Sequence, residues 1–200
     1  MKVVSSLRNC LVIMLLLLAV GQCHTQDVPL RGKAKIHFNG YSNVHDFEAD
    51  FFSKRFVANL KEKDGKSTLE IRQIEVPVLD INTGDEKRDE TMYRMFGTNN
   101  FPSLTGSCSN VDLSTMKSGE SEFPIQLKIR DTDSQVQAKV VSFKRNQNDI
   151  QLELEFPVSL KDFHLRAPSA MFGMVRVKDR VDVKVSLSLK ESVLLRSSRS

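Results

Sequence analysis

Few side chains in this 200-residue sequence stand where they could do chemistry. His45-Asp46 is an adjacent acid–base pair of the kind that moves protons in catalysis. Two further imidazoles lie within residues 33–190, His37 and His164, and no His or Cys pair has zinc-ligand spacing. A metal held by His45, Asp46 and His164 is conceivable only if the fold brings them together. His45-Asp46 reads more simply as a strand-entry pair whose hydrogen bonds fix a hairpin. Arg88-Asp89 is the second constellation. It serves either as a local ion pair or as a recognition point for a polar headgroup, because a guanidinium meets phosphate oxygens in bidentate fashion. No glycine-rich phosphate loop, P-loop or nucleophile elbow occurs. We therefore assign no catalytic residue, no metal ligand and no cofactor.

The elements that must carry these residues are nearly all strands. Val181, Val183, Val185, Leu187 and Leu189 alternate with Asp182, Lys184, Ser186 and Ser188. The same period of two runs through Ile150–Phe156, Ile125–Ile129 and Val136–Val140. One apolar and one wet face per strand is the antiparallel pattern. Further strands are expected over 33–39, 45–52, 55–61, 67–81 and 101–113. Turn signals fall at 63–66, 131–134 and 146–148, with Asp64-Gly65 the best hairpin pair. One helix is expected over 83–96. Thr83 with Glu86 fits a capping box, and Met92, Met95 and Phe96 share a face. The long segment 162–179 reads as a loop, too apolar to be simply solvated. An all-β antiparallel barrel or sandwich follows, with one short helix and, for a barrel, a loop near the mouth. Eight strands would leave room for one small ligand.

Residues 1–21 read as a secretory signal: Lys2 and Arg8, then the apolar run Leu11–Val20, then small residues. That run would span roughly 15 Å, too short for a membrane. Residues 22–32 are expected to be an N-terminal extension, 33–190 one barrel domain, and 191–200 a flexible tail. Losing Lys2 and Arg8 lowers the net charge of +4 by two. Charges of both signs are interspersed, so nucleic acid is not an expected partner. Cys23 and Cys108 remain after cleavage and could pair in an oxidising compartment. Cys23 could instead be a lipidated N-terminus, although Gln22 fits a lipoprotein signal poorly.

Several segments resemble one family, in order. Gly40-Tyr41-Ser42-Asn43-Val44-His45-Asp46-Phe47 is similar to a G-x-S-x-V-H-D-[FW] first hairpin. Arg88-Asp89-Glu90-Thr91-Met92-Tyr93 is similar to an R-D-x-x-M helix, and Asn100-Phe101-Pro102-Ser103-Leu104 to a [YF]-P-x-[IL] strand start. Asp162-Phe163 precedes Ala167-Pro168-Ser169-Ala170-Met171-Phe172-Gly173, and Asp179-Arg180-Val181 leads into the last strand. Over 33–190 the chain thus resembles the YceI-like family, lipocalin-like barrels associated with polyisoprenoid binding. One departure stands out. Many members continue the [YF]-P-x-[IL] start with an aromatic, whereas this chain has Thr105-Gly106-Ser107-Cys108.

The resemblance implies a non-enzymatic, exported protein, periplasmic in a bacterium, holding an isoprenoid or similar lipid for transport or storage. A five-carbon unit gains about 4 kcal/mol on leaving water. A membrane offers nearly the same gain, so reversible binding and transient membrane contact are expected. Pocket candidates are Phe47, Phe51, Phe56, Met92, Met95, Phe96, Phe163, Met171, Phe172 and Met174; headgroup candidates are Arg88 and His45. Each apolar candidate could equally be core packing. Two alternatives stay open: a solid barrel acting as an envelope interaction module, and an enzyme or redox accessory using His45, Asp46 and Arg88. The sequence leaves oligomeric state open.

Overall fold

The computed structural model describes residues 26–170 and 174–192. Among the described residues, ten strands, one α-helix and two short 3-10 turns follow one another. They are β1 (Gln26–Ser42), β2 (Phe47–Phe52), β3 (Arg55–Lys63), β4 (Lys66–Pro77), α1 (Glu86–Phe96), β5 (Ser103–Asp112), β6 (Glu122–Ile129), β7 (Thr132–Arg145), β8 (Asp149–Ser159), β9 (Ser169–Ala170) and β10 (Val175–Glu191). The 3-10 turns are Val78–Asp80 and Leu160–Phe163.

All neighbours pair antiparallel, and β10 returns to β1 to close the wall. β2 and β3 act as one interrupted strand along β1: Phe47–Phe52 face Gly40–Lys35, and Ala58–Glu62 face Leu30–Gln26. Ser53 spans the break, donating its N–H to Ala34 O at 2.9 Å and accepting from Ala34 N–H at 3.2 Å. Taken this way the barrel has eight strands, the number at which side chains can still fill or nearly fill the interior. Alternation decides which side chains enter. In β8, Ile150, Leu152, Leu154, Phe156 and Val158 are buried, while Gln151, Glu153 and Glu155 stand outside or at the edge.

The two ends differ. Hairpins at Asp64-Gly65 and Asn146–Asn148, the 113–121 connection and the start of β1 form one end. Asp64 and Gly65 both have positive φ, as a two-residue hairpin turn requires. Here Leu60, Leu69 and Leu189 are fully buried, and Gly32 lies so close to β10 that an added Cβ would meet Ser188 O and, at 2.7 Å, Leu189 Cδ2. The β1–β2 turn, α1, the β6–β7 turn, the segment 160–170 and Met174 form the other end.

Several boundaries differ from expectation. β1 begins at Gln26, so most of the expected extension is wall; Ser192 N–H closes onto Pro29 O at 2.9 Å. The β6–β7 turn is Arg130-Asp131, not 131–134, because Thr132 already pairs with Ile129. The capping box does not form. Asp85 is the N-cap, accepting from Arg88 N–H at 3.0 Å, and Gly97 in the left-handed region ends the helix. Segment 162–179 is not wholly loop, since Ser169 and Ala170 pair with Arg176 and Val175.

Candidate functional site

The mouth half of the barrel is hollow. A cavity of about 460 Å³ lies between the sheet and α1. Its walls are Ile36 and Phe38 of β1, Ile71, Ile74 and Val76 of β4, Ile125, Leu127 and Ile129 of β6, Leu154, Phe156 and Val158 of β8, and Val181, Val183, Val185 and Leu187 of β10. Each set is spaced by two, apart from a register shift in β4, so alternation puts these side chains inside. α1 closes the space with Met92, Met95 and Phe96, residues on one helical face. The volume lies within the range of about 300–1,000 Å³ common for small-molecule sites.

Polar groups gather only at the mouth and on β5. Ser42, His45, Asp85, Lys87, Arg88, Thr91 and Ser169 border the opening. Arg88 is held from behind. Its Nε donates to Thr83 Oγ1 at 2.7 Å and its Nη2 to Thr83 O at 2.8 Å. Thr83 in turn donates through N–H and Oγ1 to the buried Asp89 carboxylate. Arg88 and Asp89 are therefore joined through Thr83 rather than as a local ion pair. The guanidinium lies 5.0 Å over the Phe47 ring, which covers Gly40 and meets Phe38 edge-on at 6.2 Å. Two of five guanidinium donors are used in this clamp, and its cationic face sits beside the opening.

β5 supplies the departure from pattern. Thr105, Gly106, Ser107 and Cys108 all border the cavity. A Cβ on Gly106 would meet only Leu127 Cδ2, at 3.5 Å, an ordinary contact. Small residues here leave open the volume an aromatic would fill. Cys108 is a buried free thiol whose pKa is pushed up to about 11 by burial. It is protonated at neutral pH and has little nucleophilic character. Cys23 lies outside the described residues.

Of the sequence candidates, Phe47, Phe51, Met92, Met95, Phe96, Arg88 and His45 border the cavity. Phe56 packs against the general core instead. Phe163 is almost completely buried in the turn after β8 and, with Leu165, anchors that segment as core. Met174 points to solvent. Met171 and Phe172 lie outside the described residues. His45 and Asp46 are exposed on the β1–β2 turn. That turn is fixed not by them but by Ser42 Oγ, which accepts from Val44 and His45 N–H and donates to His45 O at 2.6 Å. His164 Nδ1 lies 3.3 Å from Thr132 Oγ1 at the β6–β7 turn. Among the described residues no cluster of His, Cys, Asp or Glu could hold a metal. The β1, β4, β6 and β10 wall residues were not named as site residues from sequence, although alternation marks those of β1, β6 and β10 as inward.

A family model, the YceI-like domain, matches residues 31–189. The chain belongs to the YceI-like family. Its barrel is similar to the crystal structure of BcnA from Burkholderia cenocepacia, at 17% identity and a TM-score of 0.55, covering 78% of this chain and 95% of that one. A YceI protein of Campylobacter jejuni is 15% identical with a TM-score of 0.45, covering 70% and 83%. No curated protein matches the chain. At 17% identity the likeness to BcnA carries the fold alone, and that fold is the closed antiparallel lipocalin-like barrel expected from the sequence. This YceI-like fold is one of binding proteins and is consistent with an apolar ligand.

Proposed function

We propose that this YceI-like protein is an exported, non-enzymatic carrier that holds one apolar chain, of isoprenoid type, inside the mouth half of its barrel. The observation that carries this reading is the cavity of about 460 Å³, apolar along its walls and polar at the opening and along β5. An engineered apolar cavity of about 150 Å³ takes benzene, so this space suits on the order of twenty carbon atoms. The chain's polar end then rests at the mouth, where Arg88, Lys87 and His45 suit an anionic headgroup. Met92 and Met95 adapt to a flexible occupant. No directional bond holds the tail, so exchange with a lipid phase remains easy. A solid interaction module requires inward side chains to fill the interior, and in the mouth half they do not.

The test is solvent extraction and native mass spectrometry of protein purified from cells that make isoprenoid lipids. A single apolar adduct, lost on delipidation, is the expected result. Protein that is always empty and takes up no prenol or prenyl phosphate in vitro would sink the reading.

A further inference from the structure

Four large hydrophobic side chains are exposed among the described residues: Val44 (62%), Phe52 (57%), Leu79 (62%) and Met174 (65%). Three of them stand on separate connections at the mouth: Val44 on the β1–β2 turn, Leu79 on the 3-10 turn after β4, and Met174 just before β10. Phe52 is on the wall at the β2–β3 break. The hairpins and loop of the closed end present no large exposed hydrophobic among the described residues.

Two of these tips are tied together. Asn43 Nδ2 donates to Met174 O at 2.7 Å, Asn43 Oδ1 accepts from Arg176 N–H at 2.7 Å, and Asn43 N–H donates to Arg176 O at 3.2 Å. Val44 and Met174 therefore project from one braced edge. The neighbouring stretch 161–182 holds five basic residues, Lys161, Arg166, Arg176, Lys178 and Arg180, against three acids, Asp162, Asp179 and Asp182, and Arg180 Nε donates to Asp182 Oδ1 at 2.7 Å. Asp179 is engaged locally, accepting from Ser159 Oγ at 2.7 Å and Lys161 N–H at 3.0 Å. On the opposite side of the mouth, α1 carries balanced charge.

We propose that the mouth rim is a docking surface for an anionic lipid bilayer. Apolar tips entering the headgroup layer, flanked by an excess of Lys and Arg, are what peripheral binding to anionic lipid needs. No helix among the described residues is long and apolar enough to cross a membrane. The orientation places the cavity opening against the lipid. The inference stands on the rim side chains and holds whatever fills the cavity.

The chain has no tryptophan, so Met174→Trp at the rim and Gln147→Trp at the closed end each give a single reporter. Both are mixed with phosphatidylglycerol–phosphatidylcholine vesicles and with phosphatidylcholine alone. A blue shift and quenching by brominated lipid are expected for Met174→Trp only, with phosphatidylglycerol favoured. In the tryptophan-free background, Val44→Asp with Leu79→Asp should lower vesicle co-sedimentation by roughly tenfold or more, with an unchanged circular dichroism spectrum. Equal response of both reporters, no response of either, or wild-type sedimentation of the folded double variant overturns the proposal. Prenol uptake is measured separately, so failure here leaves the carrier reading to its own test.

Discussion

Gly32 and Gly106 are both strand glycines, and they sit in opposite halves of the same barrel. At Gly32 a side chain would drive into Ser188 and Leu189. At Gly106 it would meet one Leu127 methyl at ordinary distance and then open space. The closed half is packed like a crystal interior, with Ala34, Ala58 and Ala138 set among Leu60, Leu69 and Leu189. The mouth half uses the same Ile, Val, Leu and Phe but leaves a void. One half thus holds the fold, and the other can be occupied without unfolding anything.

The sharpest way to break this contrast is to truncate a leucine in each half. Leu60→Ala in the closed half should cost about 2–5 kcal/mol in denaturant unfolding, because it opens a cavity that neighbours cannot fill. Leu127→Ala only enlarges a space already present and should cost less than about 1.5 kcal/mol. Equal losses would mean that the halves are packed alike.

Cys108 gives a chemical reading of the hollow half. With its pKa pushed up to about 11, its thiolate fraction at pH 8 falls on the order of a hundredfold below that of an ordinary thiol near 8.5. Labelling by a polar maleimide, assigned against Cys108→Ser, should slow at least that much. Raising the pH toward 11 should accelerate it, and an apolar occupant should suppress it. Fast labelling at pH 8 would contradict the enclosed wall.

A smaller effect belongs to the mouth. Arg88→Met should weaken binding of a prenyl phosphate about tenfold, or ~1.4 kcal/mol, and leave prenol binding nearly unchanged. Equal weakening of both would assign Arg88 to holding Thr83 and α1 rather than to the ligand.

Much of this contrast was open to a sequence reading, and its key part was not. Period-two alternation in β8 and β10 marked the inward residues, and Asp64-Gly65 marked its hairpin. Pro29 and Gly32 interrupt the pattern of β1, which hid its first seven residues. Thr83 looked like a cap because Glu86 follows at the right spacing, but its hydroxyl binds Asp89 and Arg88 instead. Which half is hollow depends on how the inward side chains meet across the barrel and on where α1 closes it. Ile71 and Leu60 read alike in sequence. The run Thr105-Gly106-Ser107-Cys108 was the one local signal of missing volume.

Titration with an environment-sensitive apolar dye, N-phenyl-1-naphthylamine, tests the central claim most directly when wild-type protein is set beside Gly106→Phe. Saturable one-to-one uptake by the wild type, displaced by prenol and absent from a Gly106→Phe variant of unchanged fold, is the predicted result. Uptake by both proteins alike, or by neither, would contradict a binding cavity in the mouth half.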